Sequence, residues 1–197
     1  MFTGIIQEIG IVEKVISTSG GYIFSIKASK SAPKLKIGKS ISINGVCHTV
    51  IKKSKLTFSV ETVEETLKKT SLGQLNRGNY VNLELPLQLS DRFDGHIVLG
   101  HVDCTGLVHK IVERRSSKFY TIEIPKQFTK YIIERGSISI DGVSLTIAES
   151  ERNYIDVSII PHTLHNTIFQ YYAIGSKVNI EFDILGKYIE HIVKKSR

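Results

Sequence analysis

Ser40-Ile41-Ser42-Ile43-Asn44-Gly45-Val46-Cys47-His48-Thr49-Val50 returns later in the chain as Ser137-Ile138-Ser139-Ile140-Asp141-Gly142-Val143-Ser144-Leu145-Thr146-Ile147, and this pair of stretches decides the fold. The lag is 97 residues, and it holds on the C-terminal side too. Thr66-Leu67 with Thr70 becomes Thr163-Leu164 with Thr167, and Gly78 with Val81-Asn82-Leu83-Glu84 becomes Gly175 with Val178-Asn179-Ile180-Glu181. Chance matches scatter in lag, whereas a duplicated unit keeps one lag over a long span. Two copies are too few for a solenoid, so the chain is two homologous domains, and two like pockets can hold two like ligands.

Short β-branched runs separated by turn residues fill each copy: Gly10–Ile16, Tyr22–Ala28, Ser40–Ile43, Leu56–Val60 and Tyr80–Leu85, then Gly106–Val112, Phe119–Ile124, Ser137–Ile140, Ala148-Glu149, Tyr154–Ile159 and Lys177–Phe182. Five or six such strands in under a hundred residues predict a small closed antiparallel barrel, because closure removes exposed edges. The expected class is therefore all-β, two six-stranded barrels. One helical turn is expected in each copy. Thr62-Val63-Glu64-Glu65 has capping-box spacing, and Pro161 suits a first helical turn. The C-terminus breaks the repeat: Leu185, Tyr188, Ile189, Ile192 and Val193 share one face of a helix whose other face carries Lys187, Glu190, Lys194 and Lys195. That stripe needs a partner, with self-association the preferred one. The expected divisions are 1–96 and 97–184 for the two barrels and 185–197 for the helix.

Apolar residues make up 41% of the 197 and charged residues 23%, which is ordinary for a globular protein. No apolar run reaches membrane-spanning length, and Met1–Glu8 has no signal-peptide pattern, so neither a membrane nor export is expected. Cys47 and Cys104 form no metal spacing, which suits a reducing cytoplasm. The net charge of +7 divides as +5 over residues 1–97 and +2 over the rest. No strand interleaves aromatic and basic residues, so a nucleic-acid partner is not expected. Gly-rich phosphate loops, serine-nucleophile elbows and Cys-x-x-Cys pairs are absent from the sequence.

A duplicated fold acts asymmetrically only where its copies diverge. Cys47 stands opposite Ser144, with Thr49 and Thr146 retained two residues on and hence on the same strand face if the segment is extended. Gly4-Ile5-Ile6 stands opposite Gly100-His101-Val102, which makes His101 unique to the second copy. Pro86 stands opposite Asp183. A lone strand cysteine is commonly a small buried hydrophobe, and a lone histidine commonly a surface group. Histidine is nevertheless the side chain whose ordinary pKa suits proton shuttling at neutral pH. His96 and His101, five apart, suit no metal.

At these residues the chain resembles riboflavin synthase. The resemblance rests on Met1-Phe2-Thr3-Gly4-Ile5, Asn44-Gly45-Val46-Cys47-x-Thr49, Gly95-His96-x-Val98-x-Gly100-His101-Val102-Asp103, Asp141-Gly142-Val143-Ser144-Leu145-Thr146 and Pro161-His162-Thr163-Leu164, in that order over the whole chain. It implies twin six-stranded barrels, a homotrimer organised by the C-terminal helices, and sites between the first barrel of one subunit and the second of its neighbour. It further implies a dismutation of two 6,7-dimethyl-8-ribityllumazine molecules into riboflavin and 5-amino-6-ribitylamino-uracil, without cofactor or metal. By motif, the expected catalytic residues are Cys47, His101, Ser144 and Asp183. The expected substrate contacts are Phe2, Thr3, Gly4, Ser40, Val46, Thr49, Gly100, Thr146, Ile160, Pro161 and Thr163. His101 is expected to relay protons with Ser144 and Thr146 beside it, Cys47 to orient or activate the acceptor, and Phe2 to cover the ligand. The alternative is a non-catalytic lumazine or flavin carrier of the same fold. The chain departs from the family pattern at His48, Asp94 and Cys104, where Leu, Gly and Gly are usual; His48 is expected to point away from Cys47.

Overall fold

The computed structural model describes residues 1–195; Ser196 and Arg197, the end of the helix expected over 185–197, lie outside the described residues. In the first half the strands are β1 (Glu8–Thr18), β2 (Gly21–Lys27), β3 (Ser40–Ile43), β4 (Val46–Lys53), β5 (Thr57–Val63) and β6 (Tyr80–Glu84). In the second half they are β7 (Cys104–Glu113), β8 (Lys118–Glu123), β9 (Ser137–Ile140), β10 (Val143–Glu151), β11 (Tyr154–Ile159) and β12 (Lys177–Phe182). Each set closes into an antiparallel barrel, ordered β1-β2-β5-β4-β3-β6 and, with the same topology, β7-β8-β11-β10-β9-β12. The duplication extends to irregularities. A register shift at Val12/Lys14 recurs at Val108/Lys110, and one at Val50/Lys52 recurs at Ile147/Glu149. Such bulges bend a strand and help a small sheet close.

Strict alternation decides what faces the core. On β4, Val46, His48 and Val50 are buried while Cys47 and Thr49 turn outward; on β10, Val143 and Ile147 are buried while Ser144 and Thr146 turn outward. Each buried Val, Ile or Phe contributes about 1.5–3 kcal/mol relative to exposure, so the interiors are filled and the outer strand faces remain for chemistry. Phe24, Ile26, Phe58 and Val60 fill the first barrel, and Tyr120, Ile122, Ile155 and Val157 the second.

The barrels meet across a pseudo-twofold. Asn82 Nδ2–H donates to the Asp141 carbonyl at 2.9 Å while its Oδ1 accepts from the Ile168 N–H at 2.8 Å. Its counterpart Asn179 donates to the Asn44 carbonyl at 2.8 Å and accepts from the Ser71 N–H at 2.6 Å. Four buried amide groups are thereby satisfied at once. Between them the Asn44-Gly45 and Asp141-Gly142 hairpin turns abut: a Cβ on Gly45 would lie 2.6 Å from the Gly142 nitrogen.

Helices α1 (Glu64–Lys69) and α2 (Pro161–Asn166) follow β5 and β11. Pro161 takes the first turn of α2 as expected. The capping box at Thr62 does not form: Thr62 is an inward, buried residue of β5 whose hydroxyl donates to His48 Nε2 at 2.8 Å, and α1 is entered through Val63 with no side-chain cap. Helix α3 (Ile184–Lys195) is pinned to the second barrel by Lys187 on Asp103 at 2.6 Å and by Glu190 on Lys130 at 2.7 Å. Leu185, Tyr188, Ile189 and Val193 are 47–62% exposed on it. Among the described residues no helix is long and apolar enough to cross a membrane.

Candidate active site

Two short extended hooks, residues 2–4 and 98–101, cross between the barrels and build the site. Phe2 and Val98 pair backbone to backbone, at 2.7 and 3.1 Å. The first hook is held by the first barrel: the Thr3 and Gly4 N–H groups donate to the Glu84 carboxylate at 2.7 and 3.1 Å. Its far side is taken by the second barrel, where the Ser144 N–H donates to the Gly4 carbonyl at 2.8 Å. The second hook reverses this. Leu99, Gly100 and His101 N–H groups donate to Glu181 of the second barrel at 2.7–3.0 Å, and the Cys47 N–H of the first barrel donates to the Gly100 carbonyl at 3.0 Å. Burial raises the pKa of Glu84 and of Glu181, and the converging N–H groups oppose the rise.

The hooks approach the strands so closely that only glycine fits. Gly4 (φ +79°) and Gly100 (φ +81°) sit in the left-handed region, and a Cβ would fall 2.5 Å from Ser144 Cβ or 2.6 Å from Cys47 Cβ. The first cup thus joins half-buried Cys47 and exposed Thr49 on β4, half-buried Ser40 on β3 opposite Thr49, and exposed His101 on the second hook. On the inward face of the same strand as Cys47 lies His48, whose Nδ1 meets the Val46 carbonyl at 2.9 Å. Burial lowers the His48 pKa to about 4, so the ring is neutral.

The second cup is centred on half-buried Ser144 and exposed Thr146 of β10; the expected contacts Pro161 and Thr163 lie on α2 of the same barrel, with exposed Ile160 just before it. The Ser144 hydroxyl lies 2.7 Å from Nδ1 of His96, a histidine only 6% exposed. Burial lowers the His96 pKa and the Asp183 carboxylate opposes this, which places Asp183 within electrostatic reach of the ring. His96 Nε2 is buried without a hydrogen-bond partner. Asp183 Oδ1 accepts from the Leu185 N–H at 2.9 Å and so starts α3.

The structure divides the expected residues unevenly. It docks the hook that carries His101 on Cys47 through the Gly100 carbonyl, although the two come from different copies, while the Ser144 expected beside His101 receives the other hook through Gly4. Val46 belongs to the barrel core at 5% exposure. Phe2, expected to cover the ligand, is fully buried within the chain, where its backbone pairs with Val98. Thr3 and Gly4 are buried and spend their donors on Glu84. Cys104 is buried, which pushes its thiol up to about 12 and removes it as a nucleophile. Three residues of the site were not among the expected catalytic or substrate-contact residues: Glu84, Glu181 and His96. A glutamate retained at the same lag inside an apolar strand was the available signal for the first two. No cluster of three metal-ligating side chains occurs among the described residues. A groove of about 1310 Å³ along the outer faces of β1, β2, β4 and β5 holds none of the candidate residues.

Comparison with known proteins agrees with this duplication. The lumazine binding domain matches twice, over residues 3–86 and 99–183. The riboflavin synthase of Bacillus subtilis (strain 168) is 42% identical over 196 residues, covering all of this chain and 91% of its own. That of Actinobacillus pleuropneumoniae is 43% identical over 195 residues, covering 99% of this chain and 91% of its own. Among solved structures, LumP complexed with 6,7-dimethyl-8-(1'-D-ribityl) lumazine superposes with a TM-score of 0.84 at 26% identity, covering 92% of this chain and 99% of that one.

Proposed function

The chain belongs to the riboflavin synthases, with a lumazine binding domain in each half, and from that premise we propose that it converts two 6,7-dimethyl-8-ribityllumazine molecules into riboflavin and 5-amino-6-ribitylamino-uracil. A four-carbon unit leaves one lumazine and joins the other. The two products contain every atom of the two substrates, so neither oxidant nor reductant is consumed. The observation that carries this reading is a pair of like cups furnished unlike, Cys47 with His101 in one and Ser144 with His96 in the other. Identical ligands then receive different treatment, which a dismutation requires.

In this reading residues 1–96 and 97–184 are the two lumazine-holding domains, and 185–197 joins three copies through the apolar face of α3. The first cup of one protomer faces the second cup of its neighbour, so that two lumazines stack across the boundary. Alignment of two ring systems supplies much of the acceleration. His101 relays the proton of the acidic C7 methyl, and Cys47 orients or activates the acceptor. Ser144, Thr146 and Asp183 hold the second ligand, with Ser40, Thr49, Ile160, Pro161 and Thr163 along the rims. Free thiols at Cys47 and Cys104 suit a reducing compartment, and we place the enzyme in the cytoplasm.

The test is to mix purified protein with the lumazine and follow absorbance. Catalytic conversion to riboflavin is expected; a stable stoichiometric lumazine complex without conversion would mean a carrier. His101→Ala and Cys47→Ala are each expected to lower turnover at least about a hundredfold, and full turnover in either removes its role.

A further inference from the structure

One buried polar pair distinguishes the first barrel from the second. His48 and Thr62 of the first copy correspond, at the 97-residue lag, to Leu145 and Ile159 of the second. Both pairs lie just past the end of a ladder: β4 and β5 stop pairing at Val50↔Val60, and β10 and β11 at Ile147↔Val157. Where the strands separate, the second barrel closes the gap with hydrocarbon. The first closes it with a hydrogen bond, His48 Nε2 to Thr62 Oγ1 at 2.8 Å, between residues 5% and 2% exposed.

The other ring nitrogen decides what the pair does. His48 Nδ1 lies 2.9 Å from the Val46 carbonyl, which only accepts, so Nδ1 carries the hydrogen and Nε2 accepts from Thr62. The Val46 carbonyl and the Cys47 N–H belong to one peptide group, and that N–H donates to the Gly100 carbonyl at 3.0 Å. A planar peptide transmits orientation from one end to the other. We infer that His48 is a positioning residue of the first cup, fixing the Val46–Cys47 peptide between Thr62 and Gly100 and thereby placing Cys47 and His101. The second cup keeps the outer bond, Ser144 N–H to the Gly4 carbonyl at 2.8 Å, but Leu145 offers no donor to the Val143 carbonyl. The tether is therefore specific to the cup that carries the thiol. This inference rests on the proposed roles of Cys47 and His101.

The experiment compares His48→Leu with the double variant His48→Leu/Thr62→Ile, which installs the second barrel's pair. The single variant strands the Thr62 hydroxyl and is expected to lower Tm; the double variant restores Tm. Both are expected to lower kcat about fivefold to tenfold with KM within about twofold, the loss of one orienting hydrogen bond. Recovery of kcat together with Tm in the double variant would make His48 a packing residue and overturn the inference. Nitrogen-15 NMR reads the same question without turnover. The wild-type ring should show the neutral Nδ1–H tautomer, and the double variant should shift the amides of Cys47, Gly100 and His101 while leaving Gly4 and Ser144 in place. An Nε2–H tautomer or unmoved first-cup amides would overturn the inference even if the protein made no riboflavin, whereas inactivity of the wild type alone would count against the proposed function.

Discussion

Replacing Asp141 by asparagine should change how stability depends on pH. Asp141 sits at the hairpin turn on the pseudo-twofold, only 1% exposed. Its Oδ1 accepts from the Asn179 N–H at 2.9 Å, and its Oδ2 accepts from the Tyr172 hydroxyl. Burial pushes its pKa from 3.8 to about 7, against the pull of those two donors. Unfolded, the carboxyl gives up its proton near 3.8; folded, it holds it to about 7. Between those values the folded state binds more protons, so this group's contribution to stability falls as pH rises. A shift from 3.8 to about 7 amounts to on the order of 4 kcal/mol. Asn44 shows that an amide is accommodated at this turn, since its Oδ1 accepts from the Asn82 N–H at 2.7 Å in the first copy. Denaturant unfolding of wild type and Asp141→Asn, at matched protein concentration from pH 4 to 8, measures the effect. The variant-minus-wild-type stability should rise by on the order of 4 kcal/mol across that range. His48, His96, Glu84 and Glu181 titrate in both proteins and cancel in the difference. A flat difference would refute the reasoning.

Three further outcomes are expected. Gly100→Ala should abolish most riboflavin formation, whereas Gly38→Ala, with nearly the same φ of +80° but open space around it, should cost only the backbone strain of about 1–2 kcal/mol in stability and leave kcat intact. Equal kcat in the two variants would remove the significance of the Cys47 approach. His96→Ala deprives the Ser144 hydroxyl of its 2.7 Å partner and should lower kcat about tenfold in steady-state assays; unchanged kcat would detach His96 from the reaction. Leu185→Glu/Ile189→Glu places charges on the exposed face of α3, and sedimentation should show dissociation to smaller species with the barrels still folded. A mass unchanged from that of the wild type would exclude that face as the proposed contact between copies.

The barrels were legible because the duplication repeats a backbone pattern: alternating β-branched residues around Asn44-Gly45 and Asp141-Gly142 put the same strands at the same lag. Cys47 with Thr49 and Ser144 with Thr146 were legible as pairs sharing one strand face for the same reason, since alternation settles which residues share a face; that this face is the outer one is set by closure of the barrel. What local pattern does not encode is which barrel a non-periodic segment docks on. His101 was assigned by its place in the chain to the second unit, yet its hook lies against Cys47 of the first. Thr62 had the spacing of a helix cap and lost that role to a tertiary partner, His48, fourteen residues away. Phe2 is aromatic and near the start of the chain, and its burial beside the paired hooks is not written in any local pattern.

The crossing also explains how a duplicated protein acquires two different cups from few changes. Each cup takes its strands from one barrel and its hook from the carboxylate of the other: Glu84 of the first barrel presents Gly4 to Ser144, and Glu181 of the second presents Gly100 to Cys47. The residue after each hook glycine therefore furnishes the opposite barrel's cup. Ile5, 46% exposed, accompanies the serine, and His101 accompanies the thiol. A substitution in either copy alters the partner copy's cup, so divergence at one hook position and one strand position suffices to give two identical heterocycles unlike surroundings. A barrel detached from its twin loses the hook that completes its cup, so neither half alone should retain the chemistry.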